Sequence, residues 1–360
     1  MTPYASTISR ILCGLTVLCF TRAQATGPST LRQTAQARGV LIGTAVRPAH
    51  LSEPAYAATL SREFDLVEPE DALKWEALRP TPQSFDFSEA DKIVAFATQR
   101  HMKVRGHTLV WHQQNPPWLI QGNYSAAQLS QLLEEHIKTV VGHYRGKIFA
   151  WDVANEAFDE GRRAGQLRST IWYDQPGIGS SKQGSAYLAQ CFRWAHEADP
   201  GALLFYNEAE ADEINLKSDA VYAMVQDFKR HHVPIDGIGL QMHISNPHPD
   251  IASISANIAR FAALGLQVHI TEMDVSLPVD VNGNASAGDI QRQAEIYGEI
   301  ADACLSHPGC TAVQTWGFTD RYSWIGSHSR HTRGAALPFD RNYQPKPAYH
   351  ALRRALSATR

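Results

Sequence analysis

One repeated alternation constrains this chain more than any other feature: a short apolar segment, then a longer amphipathic one, eight times over. The candidate strands are residues 40–46, 64–70, 102–111, 147–156, 202–208, 235–244, 267–275 and 310–320. Several are β-branched or aromatic runs with little polar alternation, the pattern of strands covered on both faces of a parallel sheet. Helical periodicity follows each, at residues 53–62 (weakly), 88–100, 125–144, 182–198, 214–231, 249–264, 289–306 and 345–356. Within 125–144, Ser125 and Gln128 have capping-box spacing. Leu129, Leu132, Leu133, His136 and Val140 then fall on one face. Eight such units close into a barrel or open into a doubly wound sheet. No G-x-G-x-x-G opens a helix after the first strand, and eight is the barrel number. The expected architecture is α/β: a (β/α)8 TIM barrel forming a single domain.

Composition narrows what such a barrel acts on. The 360 residues are 44% hydrophobic and 19% charged, with a formal net charge of -3. That balance gives no electrostatic reason to expect nucleic acid or an anionic membrane as partner, and suits a neutral ligand. The N-terminus reads as a secretory signal: Arg10, an uncharged apolar run over residues 11–20, then Ala23-Gln24-Ala25 as cleavage site. That run is too short to span a bilayer, which takes about 20 residues. Leu12 and Leu18 precede Cys13 and Cys19 where a lipid-anchored cysteine needs a small neighbour. The expectation is a signal peptide at 1–25, a catalytic domain at 26–360, and secretion to the periplasm or medium. Cys304 and Cys310 flank Pro308-Gly309, a spacing that can close into a disulfide in an oxidising compartment. Cys191 sits in a helical apolar pattern and reads as a core thiol.

In (β/α)8 barrels the chemistry gathers where strands end. The fourth ends Trp151-Asp-Val-Ala-Asn-Glu156; the seventh carries His269-Ile-Thr-Glu272-Met-Asp274. Two carboxyl groups on one rim are what glycosidic bond cleavage needs: one to protonate the leaving oxygen, the other to attack or to activate water. The plainer alternative is two rim glutamates in ion pairs. Against it stand their neighbours: Asn155, suited to a sugar hydroxyl, and His243 with Asp274, suited to orient Glu272.

At these residues the sequence resembles glycoside hydrolase family 10, the (β/α)8 xylanases. The resemblance rests on Trp151-Asp-Val-Ala-Asn-Glu-Ala-Phe158 and His269-Ile-Thr-Glu-Met-Asp274. It extends to Gly106-His-Thr-Leu-Val-Trp-His112, Gly239-Leu-Gln-Met-His243 and Thr315-Trp-Gly-Phe-Thr-Asp-Arg-Tyr-Ser-Trp324. The resemblance implies retaining, cofactor-free hydrolysis of β-1,4-xylosidic bonds, with Glu156 as acid/base and Glu272 as nucleophile. Their carboxyls would lie about 5–5.5 Å apart, with Glu156 kept protonated near neutral pH and Glu272 ionised. It also implies a sugar groove lined by Glu70, Asp71, Lys74, His107, Trp111, Gln114, Tyr206, Gln241, Trp316 and Trp324. Two departures stand out: Asp71 replaces an asparagine, and Glu208-Ala209 replaces Asp-Tyr after Tyr206-Asn207. The expected partner is xylan, bound by a monomer, with no nucleic acid and no membrane.

Three rivals remain. A related barrel hydrolase could act on cellulose or mannan; Glu70, Lys74, His107 and Trp324 favour xylan, because a crowding indole excludes the hydroxymethyl group of hexoses. A metal-dependent hydrolase lacks a His-x-His on its first strand and enough ligands around His243 and His269. An inactive glycan-binding barrel would have no use for both glutamates with Asn155, His243 and Asp274.

Overall fold

Eight parallel strands close on themselves in chain order: β1 (Leu41–Val46), β2 (Leu66–Pro69), β3 (Lys103–Val110), β4 (Ala150–Asn155), β5 (Leu203–Glu208), β6 (Gly237–Leu240), β7 (Gln267–Val275) and β8 (Cys310–Thr315). Closure comes from β8, which pairs with β1 on one side, Leu41 opposite Ala312, and with β7 on the other. The computed structural model describes Met1 and residues 29–358; apart from Met1, the signal segment expected at 1–25 lies outside the described residues. No helix among the described residues is long and apolar enough to cross a membrane.

A helix follows every strand: α2 (Pro54–Glu63), α3 (Ser88–Gln99), α4 (Ala126–His143), α5 (Ala186–Ala198), α6 (Leu216–Arg230), α7 (Ile251–Ala263), α8 (Ala287–Leu305) and α9 (Pro347–Ser357). The capping box expected at Ser125 and Gln128 opens α4. An unanticipated helix, α1 (Leu31–Arg38), precedes β1. Its signals were present: a Thr30–Gln33 capping box, and Gly39 ending it at φ 76°. At eight residues it has too little apolar periodicity to stand out. The buried carboxylate of Glu63 on α2 fixes it by accepting from the Leu31 N–H at 3.1 Å. Cys304 and Cys310 form the expected disulfide, tying the end of α8 to the start of β8. Cys191 is buried and free.

Two local features place side chains toward the cleft. Between β4 and β5 the register shifts, so that Asp152 pairs with Phe205 while Ala154 pairs with Tyr206. A bulge of this kind puts an extra residue on one strand and resets its alternation. It lets Asp152 and Asn155, an odd number of residues apart, both reach the interior network. The strand expected at 235–244 ends early. Met242 takes φ 63°, and a two-residue strand, His243–Ile244, resumes beyond it alongside Asp274 and Val275.

Beneath the cleft the barrel interior is polar. Arg105 pairs with Asp152 through both ends of its guanidinium, Nε to Oδ2 at 3.0 Å, and lies 3.0 Å from His269 Nδ1. Burial and the Asp152 charge push the Glu68 carboxyl well above the usual range, outweighing the nearby guanidinium.

His136, on α4, gives the fold a pH dependence. Its ring stacks on Trp75 at 3.6 Å between centroids, and neither ring nitrogen has a partner among the described residues. Burial, helped by Arg79, holds its pKa well below 6.5. A depressed histidine pKa means that the unfolded chain takes up the proton first. The stability that neutral His136 allows is present above about pH 6.5 and falls as pH drops below it, by up to about 1.4 kcal/mol per unit. We expect the thermal midpoint of the parent to fall further between pH 7 and pH 5 than that of His136→Phe. Equal falls would exclude this origin.

Candidate active site

Glu156 is the first residue beyond β4, and its backbone turns sharply at φ 52°. The turn aims its carboxyl into a cleft of about 460 Å³ over the barrel mouth. Oε1 accepts from Gln241 Nε2 at 3.0 Å and Oε2 from Trp111 Nε1 at 2.9 Å. Glu272, within β7, enters the same cleft almost wholly buried. Oε1 accepts from Asn207 Nδ2 at 2.7 Å, and Oε2 lies 3.1 Å from His243 Nε2.

A chain of amides joins the two carboxyls. Asn155 Oδ1 accepts from Asn207 Nδ2 at 2.9 Å and from Gln241 Nε2 at 3.1 Å, and those two nitrogens also hold Glu272 and Glu156. Asn207 is oriented in turn by Thr271, whose hydroxyl donates to its Oδ1 at 2.7 Å. Only glycine at 239 permits this approach, since a Cβ there would meet Asn207 Oδ1 at 2.1 Å.

His243 sits between two anions, with Nδ1 3.0 Å from Asp274 Oδ2. Burial opposes its charge, but Asp274 and Glu272 prevail and hold its pKa well above 6.5. Trp324 Nε1 donates to Asp274 at 2.8 Å, so an indole closes this arm.

Glu156 departs from expectation. The sequence predicts a carboxyl kept protonated near neutral pH; in the free cleft its pKa is lowered. Burial pushes it up, but the Gln241 and Trp111 donors, with His112 and His107, outweigh burial. One of these contributions lapses at neutral pH, because burial and Arg168 hold His112 below 6.5 and leave it uncharged there.

Most of the predicted groove residues converge. Glu70, Asp71, Lys74, His107, Trp111, Gln114, Asn155, Gln241, His243, Trp316 and Trp324 all line the cleft with both glutamates. Lys74 Nζ lies 4.7 Å from the centre of the Trp111 ring and 5.6 Å from that of Trp316. The Asp71 charge is matched: Lys74 at 3.4 Å, Gln114 Nε2 at 3.1 Å and Arg47 at 3.0 Å surround it. Arg47 also holds Glu70 at 2.7 Å. Neither Arg47 nor Glu160, also in the lining, was picked out from the sequence. Arg47 is the first residue beyond β1 and meets its partners only through the β1–β2 pairing.

Tyr206 is a correction. Its ring is fully buried, and its hydroxyl accepts from the Ala157 N–H and donates to Glu208, away from the cleft. Asn207, next in β5, faces inward instead.

The histidines near Glu272 do not form a metal set of the kind considered above. His269 is engaged by Arg105 and Thr311. Among the described residues, ligand atoms converge only for Glu68, His107 and Glu272, within 4.8 Å of one another. There the Arg105 guanidinium, 3.9 Å from Glu68, already supplies positive charge, and His107 Nδ1 faces Asp152 at 3.0 Å.

Two carboxyls over a parallel barrel fit several glycosidase families, and comparison decides among them. The profile of Glycosyl hydrolase family 10 matches residues 30–355. The chain belongs to glycosyl hydrolase family 10. Family 10 is a retaining family with one glutamate nucleophile and one glutamate acid/base. Endo-1,4-beta-xylanase B of Thermotoga neapolitana is 43% identical over 298 residues, 83% of this chain and 82% of that protein. Exoglucanase XynX of Acetivibrio thermocellus is 36% identical over 325 residues, 86% of this chain and 28% of that one. Among solved structures, xylanase 10B from Thermotoga petrophila RKU-1 in complex with xylobiose superposes with a TM-score of 0.86 at 40% identity. That match covers 92% of this chain and 98% of that one.

Proposed function

We propose that this chain is a secreted endo-1,4-β-xylanase acting by double displacement, with Glu272 as nucleophile and Glu156 as acid/base. The observation that carries the reading is the pair of carboxyls in one cleft, Glu272 buried and Glu156 partly so, joined by the Gln241–Asn155–Asn207 amides yet held in different surroundings. Glu272 attacks the anomeric carbon while Glu156 gives its proton to the glycosidic oxygen, and the leaving sugar departs. Water then attacks the glycosyl ester, Glu156 takes its proton, and Glu272 is released with the anomeric configuration retained. In the first step Glu156 must carry a proton. A bound glycan supports this by burying the carboxyl further and offering it an acceptor, the glycosidic oxygen.

Asn155 directs its Oδ1 at other amides and donates to no group among the described residues. Its nitrogen is thus left for a sugar hydroxyl beside both carboxyls. Glu70, Asp71, Lys74, His107, Gln114, Trp316 and Trp324 form the rest of the sugar-binding wall. A catalytic domain running from residue 26 after removal of the signal peptide accommodates the whole barrel.

The test is reducing-sugar release from xylan, with carboxymethyl-cellulose and mannan in parallel. Release from xylan alone is expected. The relative named as an exoglucanase makes the cellulose arm informative: faster release there would retain the two-glutamate chemistry and reject xylan as substrate.

A further inference from the structure

Glu156 occupies the left-handed backbone region, uncommon for a residue with a long side chain and sustained only where the surroundings enforce it. What enforces it here is a set of side chains outside the barrel. The Ala157 N–H donates to the Tyr206 hydroxyl at 3.0 Å, and the Phe158 N–H to Glu208 Oε2 at 3.3 Å. Tyr206 donates to the same carboxylate oxygen, and Glu208 Oε1 accepts from the Ala209 N–H and faces Lys217 Nζ at 3.0 Å. Tyr206 and Glu208 are fully buried, and Lys217 nearly so. Arg168 clasps the opposite edge of the turn: its Nε donates to the Glu156 carbonyl at 3.3 Å and its Nη2 to that of Phe158 at 3.1 Å.

Burying a carboxylate and an ammonium outside a barrel is expensive where an apolar pair would pack as well. Both groups here are directed at the turn that carries Glu156, or at a residue that holds it. Glu272, by contrast, hangs from β7 and is held by Asn207 and His243, with no hydrogen bond or ion pair to Tyr206, Glu208 or Lys217 among the described residues.

We propose that Tyr206 and Glu208, on the outer face of β5, are positioning residues for Glu156, holding the turn that aims its carboxyl at the glycosidic oxygen. The proposal rests on Glu156 being the acid/base. Proton transfer works only over about 2.6–3.2 Å, and a displacement of 1 Å costs roughly a hundredfold. Loosening the turn therefore harms proton delivery while sparing nucleophilic attack.

The experiment measures kcat/KM of Tyr206→Phe and Glu208→Gln on aryl β-xylobiosides whose leaving groups run from dinitrophenol to phenol, with Glu156→Ala alongside. Tyr206→Phe deletes one hydroxyl and carries the test if Glu208→Gln, which leaves Lys217 unpaired, does not fold. Expected is a loss that grows as the leaving group becomes poorer, reaching about tenfold or more on the phenyl glycoside and smallest on the dinitrophenyl one. A loss equal across all leaving groups, as general destabilisation would give, overturns the proposal, as does no loss in Tyr206→Phe. If Glu156→Ala itself shows no dependence on the leaving group, the acid/base assignment fails and this proposal with it. A steep dependence in Glu156→Ala beside a flat one in Tyr206→Phe rejects the positioning role alone.

Discussion

Glu272→Ala should lose xylan hydrolysis by roughly five orders of magnitude or more, the scale on which deletion of a covalent nucleophile acts. The methyl group removes the atom that would bond to the anomeric carbon, and no neighbour replaces it: Asp274 is committed to His243 and Trp324. The fold should survive, because Asn207 keeps its bonds to Asn155 and Thr271 and His243 keeps Asp274. A stability loss of about 1–3 kcal/mol for the unpaired donors is the structural cost. Two measurements test the assignment together. A 2-deoxy-2-fluoro-xylobioside with a good leaving group should load one glycosyl unit onto the parent, seen by mass, and none onto the variant. Azide added to the variant should occupy the vacated volume and yield a glycosyl azide of inverted configuration. Turnover within about a hundredfold of the parent is too small a loss for a nucleophile and would reject the assignment.

The second large effect is selective. Glu156→Ala should reduce kcat/KM on xylan by about a thousandfold, within the span of general acid catalysis. A dinitrophenyl glycoside, whose leaving group departs without a proton, should lose far less. With that substrate the slow step becomes attack of water on the glycosyl ester, so the intermediate accumulates and KM falls with kcat. Azide, needing no base, should restore kcat and give a product of retained configuration. Equal losses on xylan and on the activated glycoside would mean that Glu156 acts in binding rather than proton transfer.

The eight-fold alternation made the barrel and its rim legible, and with them Glu156 and Glu272, because a strand end is a position and a carboxylate is a chemistry. Phase was harder to read. Leu203–Glu208 is buried along almost its whole length, so nothing polar on an outer face indicates which residues point inward. The sequence accordingly does not separate Tyr206 from Asn207 as the inward residue; the structure turns Asn207 inward, where it donates to Glu272. The proton affinity of Glu156 was illegible for a different reason. It depends on the direction of two N–H bonds, from Gln241 beyond β6 and Trp111 beyond β3. Residue type alone names donors but does not aim them. Arg47 escapes notice because its partners, Glu70 and Asp71, are a strand and a helix away in sequence and are brought beside it only by the pairing of β1 with β2.

A side-chain amide is nearly symmetric in shape, and turning it over costs little unless its neighbours can tell oxygen from nitrogen. Here they can. The carboxylate of Glu272 only accepts, which fixes the Asn207 nitrogen against it, and that of Glu156 does the same for Gln241. Those two nitrogens converge on Asn155 and fix its oxygen in turn. Among all the ways these three amides could be turned over, with Glu156 ionised, only one avoids setting like atoms against each other. The orientation of Asn155 is thus inherited, through Asn207 and Gln241, from the two catalytic carboxylates. A ligand entering the cleft meets an NH2 group there in every molecule, so the site discriminates by what it can receive before it discriminates by shape.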